Sequence, residues 1–252
     1  MGIAGWSLTP IGLVLLSLLV WRAGAARLLS LFPVFYFYII YVLCGTVALT
    51  AIYLVRPRWY ATGFWFHQLV CVLVEFGVLV EIADHMFRPF PAIRQFGRAL
   101  VILISFTFAL VYILPTILES HEPGSGLLDV AVRASVTKAV ILAVLVFAAH
   151  RFSLKLGKNV AGLMMGFSVY LGVDIANYAA AESFGRALYA NVLWIMKPTA
   201  YTLCLLVWTV ALWELAPMPA TDSVQPAGGG NSKALTLELA RFNSALSRLL
   251  RQ

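Results

Sequence analysis

Charge is what this chain has least of. Asp, Glu, Lys and Arg make up 12% of its 252 residues, against 62% hydrophobic residues. Soluble domains carry roughly 25% charged residues, so an ordinary water-soluble fold is excluded. Histidine is scarce too: His67, His85, His121 and His150 are scattered, with no HxxxH or HExxH spacing. The zinc sites of seven-span hydrolases and of metalloproteases are thereby unsupported, and no nucleophile elbow replaces them, so no enzyme is expected. The three cysteines, Cys44, Cys71 and Cys204, fall within apolar stretches and lack CxxC spacing. Neither a disulfide framework nor a metal site is indicated, and they read as small packing residues. The opening MGIAGWSLTP has no basic region ahead of its apolar run, so it reads as a retained helix rather than a cleaved signal.

What the chain does contain is apolar length. Its mean hydropathy is +0.89, and runs of about 20 residues, enough for a helix to cross roughly 30 Å of hydrocarbon, consume nearly all of it. The expected fold is all-α: a polytopic membrane bundle of seven helices with a C-terminal cytoplasmic amphipathic helix. Candidate spans are 6–21, 33–55, 63–85, 99–118, 127–149, 160–181 and 190–213. Pro33 suits the first turn of the second helix, where a missing N–H costs nothing. The PGSG at 123–126 separates the fourth and fifth spans.

Basic residues set an orientation. On one side lie Arg22, Arg27, Arg88, Arg94, Arg98, Arg151, Lys155, Lys158, Lys233, Arg241, Arg248 and Arg251; on the other lie only Arg56, Arg58 and Arg186. The positive-inside bias puts the N-terminus outside and the C-terminus in the cytoplasm of a multi-pass inner-membrane protein. The net charge of +7 therefore reads as membrane orientation, not as a nucleic-acid surface. Gly162 and Gly166 form a GxxxG pair in the sixth span, read as a close intramolecular contact.

Five charges fall inside the spans: Glu75, Arg133, Lys138, Asp174 and Lys197. A charge at mid-bilayer costs roughly 2.5–3.5 kcal/mol on insertion scales, so it is paired, packed inward or functional. Depth along the helices proposes two groups. Glu75 and Lys138 form a structural ion pair at the centre. Arg133, Asp174 and Lys197 gather nearer the outer face with Asn177, Tyr170, Tyr201 and His67. Three cations against two anions leave one cation over, which favours a small anionic ligand or lipid headgroup.

Near the inner end of the third span, Glu81, Asp84 and His85 share one helical face. They read as a solvated helix end rather than a metal site, with Arg88 placed to pair with Asp84. The loop 87–98, FRPFPAIRQFGR, suits anionic headgroups or a cytoplasmic protein partner. Residues 216–232 are a flexible linker rich in Pro and Gly. From 233 to 252, Leu235, Leu239, Phe242, Leu246 and Leu249 make one apolar helical face. Such a helix lies on the membrane surface or docks on a partner.

These features support a seven-helix receptor or sensor with an outward-facing polar pocket. An ion, proton or solute transporter is the alternative, weakened by the absence of an internal repeat. Retinal on Lys197 is a weaker reading still, because the surrounding LWIMKPTAYT lacks an Asp four residues upstream, so no cofactor is expected. Phe32-Pro33-Val34-Phe35, together with Glu81 and Phe87-Arg88-Pro89-Phe90-Pro91-Ala92-Ile93-Arg94, resembles an uncharacterised group of bacterial seven-helix membrane proteins. The likeness covers most of spans two to four. It implies the same span count and carries no assigned activity.

Overall fold

The computed structural model describes residues 3–25, 28–119, 125–152, 154, 156–188, 194–214, 240, 241, 243 and 244. Every regular element among them is helical. In hydrocarbon an unpaired backbone N–H or C=O costs several kcal/mol, so an apolar chain closes its hydrogen bonds within each helix. The helices are α1 (Ile3–Ala25), α2 (Leu28–Leu31), α3 (Pro33–Val55), α4 (Tyr60–Met86), α5 (Pro91–Phe108), α6 (Leu114–Glu119), α7 (Ser125–Arg151), α8 (Lys158–Leu188) and α9 (Trp194–Ala211). Five stretches are long and apolar enough to cross a membrane: Pro33–Val55, Pro57–Met86, Pro91–Leu118, Asp129–Arg151 and Lys158–Asn177. Two shorter apolar helices, Pro10–Ala25 and Pro198–Ala211, pack with them.

Six helices close a ring in which α1 packs on α3, α3 on α4, α4 on α7, α7 on α8, α8 on α9, and α9 back on α1. Helix α5 lies outside the ring against α4, and α4 also reaches across to α8. Large apolar side chains point outward, among them Phe106 (64% exposed), Phe147 (67%) and Val210 (70%). An apolar exterior of this extent is a lipid-facing surface, not that of a soluble monomer.

The expected 87–98 loop is much shorter than its composition suggested. The helix starts at Pro91, and Arg94 and Arg98 already lie on α5. Proline at the first helical position sets φ for the helix at no hydrogen-bonding cost, and the same residue type opens α3. One irregularity was not anticipated. Residues Ala109–Ile113 form a π-helical turn between α5 and α6. Pro115 explains it: with no N–H and a ring that crowds the carbonyl of Val111, it disfavours an ordinary α turn there.

Gly162 and Gly166 face α9. A Cβ at Gly162 would collide with Ala211, and one at Gly166 with the Trp208 indole. Trp208 also donates from Nε1 to the Leu163 carbonyl at 3.3 Å. The small-residue pair therefore brings α8 and α9 together within one chain. Of the expected tail helix 233–252, only 240, 241, 243 and 244 are described, with helical backbone. The linker 216–232 lies outside the described residues.

Candidate functional site

The interior polar residues form a seam organised by α7. Ser135 and Lys138 are three residues apart, hence on one face, with an axial offset of about 4.5 Å. Lys138 reaches α4, where its ammonium pairs with the Glu75 carboxylate, both residues 2% exposed. Tyr38 of α3 donates its hydroxyl to the other Glu75 oxygen at 3.2 Å. Ser135 reaches α8 instead and donates to Asp174 at 2.5 Å. Asn177 follows Asp174 by one turn on the same face and is 1% exposed. Neither its amide nitrogen nor its amide oxygen has a hydrogen-bonding partner among the described residues.

The seam has a direction. Helix α7 runs toward the end of the bundle where Arg22, Arg88, Arg94, Arg151 and Lys158 lie, and α8 runs away from it. Glu75 with Lys138 is thus nearest this basic end, Asp174 with Ser135 is one turn further out, and Asn177 is further still. Toward the opposite end a narrow, apolar groove lies between α4 and α7, lined by Trp65, Gln68, Leu69, Val72, Val130 and Ala131. On the basic side the seam meets packed rings. Trp208 lies 5.0 Å from Phe35, 5.0 Å from Phe167 and 6.3 Å from Tyr38 by ring centroids. All four are buried, and Leu79, Ile82 and Leu163 complete the plug.

Two expected members of the outer group lie elsewhere. Arg133 is half exposed, bonded to Asp129 at 3.3 Å and stacked 5.0 Å over the Tyr112 ring. Two residues along a helix turn the side chain by about 200°, so Arg133 faces away when Ser135 faces Asp174. The surplus cation that suggested an anionic ligand is therefore matched by Asp129 at the surface. His67 turns toward α3, its ring stacked 4.9 Å from Tyr41 and lying over Gly45, with Cys71 Sγ 3.6 Å away. Tyr201 meets Tyr170 edge-on at 5.8 Å. Lys197 belongs to α9, and its side chain lies outside the described residues.

The basic end corrects a further expectation. Glu81 is 7% exposed, not solvated. Its carboxylate accepts from the backbone N–H of Val34 at 3.0 Å and of Phe35 at 2.9 Å, capping α3. Asp84 binds Arg94 through both carboxylate oxygens, at 2.6 and 2.5 Å, rather than pairing as expected with Arg88. His85 stacks 4.7 Å from Phe32. Across the bundle, Asn159 donates to the carbonyls of Ala211 at 2.8 Å and Glu214 at 2.9 Å, and Arg22 donates to that of Trp213 at 2.6 Å. Helix ends here are thus closed by side chains from distant helices. Among the described residues no group of three His, Cys, Asp or Glu is placed to hold a metal ion. No family model, no curated protein and no solved structure matches the chain.

Proposed function

We propose that this chain is a seven-span receptor or sensor of a bacterial inner membrane, with its N-terminus outside and the basic end in the cytoplasm. The six-helix ring with α5 outside it gives seven crossings if α1 and α9 also span. The concentration of Arg and Lys at one end supports the orientation. One observation carries the reading: the polar seam extends from Glu75 and Lys138 toward the less basic end and stops at the ring plug around Trp208. A half-depth polar site closed on the cytoplasmic side suits reception better than passage. Its ligand is a small polar molecule that satisfies the Asn177 amide beside Asp174 and Ser135. With Arg133 turned away, an anion has no special claim. Because Ser135 and Lys138 ride on one helix, a ligand at Asp174 would bias α7 against both α8 and α4. Output would then pass to a cytoplasmic protein partner at the α4–α5 elbow or the tail.

Transport is the second reading, favoured by the ionisable pair Glu75 and Lys138 inside the seam. Proteoliposomes holding a pH-sensitive dye separate the two. The receptor reading expects no proton or sodium flux above that of protein-free vesicles under an imposed gradient. A flux lost in Glu75→Gln would establish transport instead.

A further inference from the structure

Two helices of this bundle begin in the same way. Helix α3 starts at Phe32-Pro33-Val34-Phe35 and α5 at Phe90-Pro91-Ala92-Ile93. In both, a phenylalanine occupies the N-cap with non-helical backbone, φ/ψ −128°/65° at Phe32 and −124°/85° at Phe90, and supplies no side-chain acceptor. An N-cap normally answers the free N–H groups of the first turn with an Asp, Asn, Ser or Thr oxygen. Here the proline removes one donor, and the next two N–H groups must find an acceptor from elsewhere. For α3 that acceptor is Glu81. For α5 it is Asn243 of the tail, whose Oδ1 lies 2.8 Å from the Ala92 nitrogen and 3.3 Å from that of Ile93.

We propose that the first turn of α5 is the docking site for the chain's own C-terminal tail, with Asn243 as the cap that seats it. With Asn243 seated, Ala92 is 5% exposed and Ile93 8%, so water is poorly placed to replace the amide oxygen while the tail covers them. A buried donor left without an acceptor destabilises the first turn that carries it. The docked tail holds the start of α5 alongside the partly exposed Asp84–Arg94 pair, which ties α5 to α4. Lifting the tail exposes two parallel N–H groups at a positive helix end, where a partner's carboxylate or carbonyl would compete with Asn243. This docking stands apart from whatever the seam binds.

Hydrogen exchange on the full chain in nanodiscs, read by mass spectrometry at the start of α5, tests it. In Asn243→Ala, and in a chain ending at residue 232, the Ala92 and Ile93 amides should exchange about tenfold faster than in the wild type. Asn243→Asp keeps an acceptor at the helix N-terminus and should retain wild-type protection. The Val34 and Phe35 amides, held by Glu81, should be unchanged throughout. Wild-type rates at Ala92 and Ile93 in the tail-less chain would overturn the proposal, as would equal loss of protection in Asn243→Asp and Asn243→Ala.

Discussion

Lys138 and Glu75 meet as an ion pair with almost no exposure, at a depth where neither has water to fall back on. Such a pair adds little net stability, because desolvation offsets the attraction, but it is costly to break. Glu75→Ala or Lys138→Ala alone should destabilise the bundle by about 3–5 kcal/mol. The double replacement Glu75→Leu with Lys138→Met should recover most of that loss. Denaturant titration of the protein in mixed micelles, read by tryptophan fluorescence, measures all three. Equal destabilisation in the double variant and the single ones would mean that the pair does more than neutralise itself.

Glu81 fastens the start of α3 to α4 through two backbone N–H groups. Removing its carboxylate strands both donors, at about 1–3 kcal/mol each. Glu81→Ala should therefore lower the melting temperature clearly, and Glu81→Gln, which keeps a carbonyl oxygen, should lower it less. A melting curve of Glu81→Ala that overlays the wild type would show that water caps α3 as well as Glu81 does.

Gly166 leaves room for the Trp208 indole, which belongs to the plug beneath the seam. Gly166→Ala should separate α8 from α9 and cost about 1–3 kcal/mol by overpacking. Because Trp208 would move, its fluorescence maximum should shift to the red as the plug admits water. Stability unchanged within about 0.5 kcal/mol, with an unshifted emission maximum, would contradict the close approach.

The sequence discloses depth better than it discloses direction. Each helical residue adds about 1.5 Å, so counting from the span ends places Glu75 beside Lys138. The same counting puts Arg133 level with Asp174, yet depth says nothing of angle, and Arg133 points outward to Asp129 and Tyr112. The role of Glu81 was hidden for another reason. It serves backbone groups of a different helix, and a local reading sees only charged neighbours on one face. A signal did exist: Phe-Pro starts with no Asp, Asn, Ser or Thr at the N-cap require an acceptor from far along the chain. At α3 that acceptor is Glu81, which takes the Val34 and Phe35 N–H groups. The π turn at Ala109–Ile113 was not anticipated, although Pro115 two residues beyond it supplies its physical cause.

The proposed reception site would be reached from the end away from the basic residues and closed toward them. Placing a single cysteine at Asn177 or at Leu79, with native Cys44, Cys71 and Cys204 all replaced by serine or alanine, tests this most directly. A membrane-impermeant thiol reagent is then applied from each side of oriented vesicles. The account predicts that the cysteine at position 177 reacts from the side opposite the basic end and that the one at position 79, within the plug, reacts from neither. Labelling of either position from the basic side would contradict it.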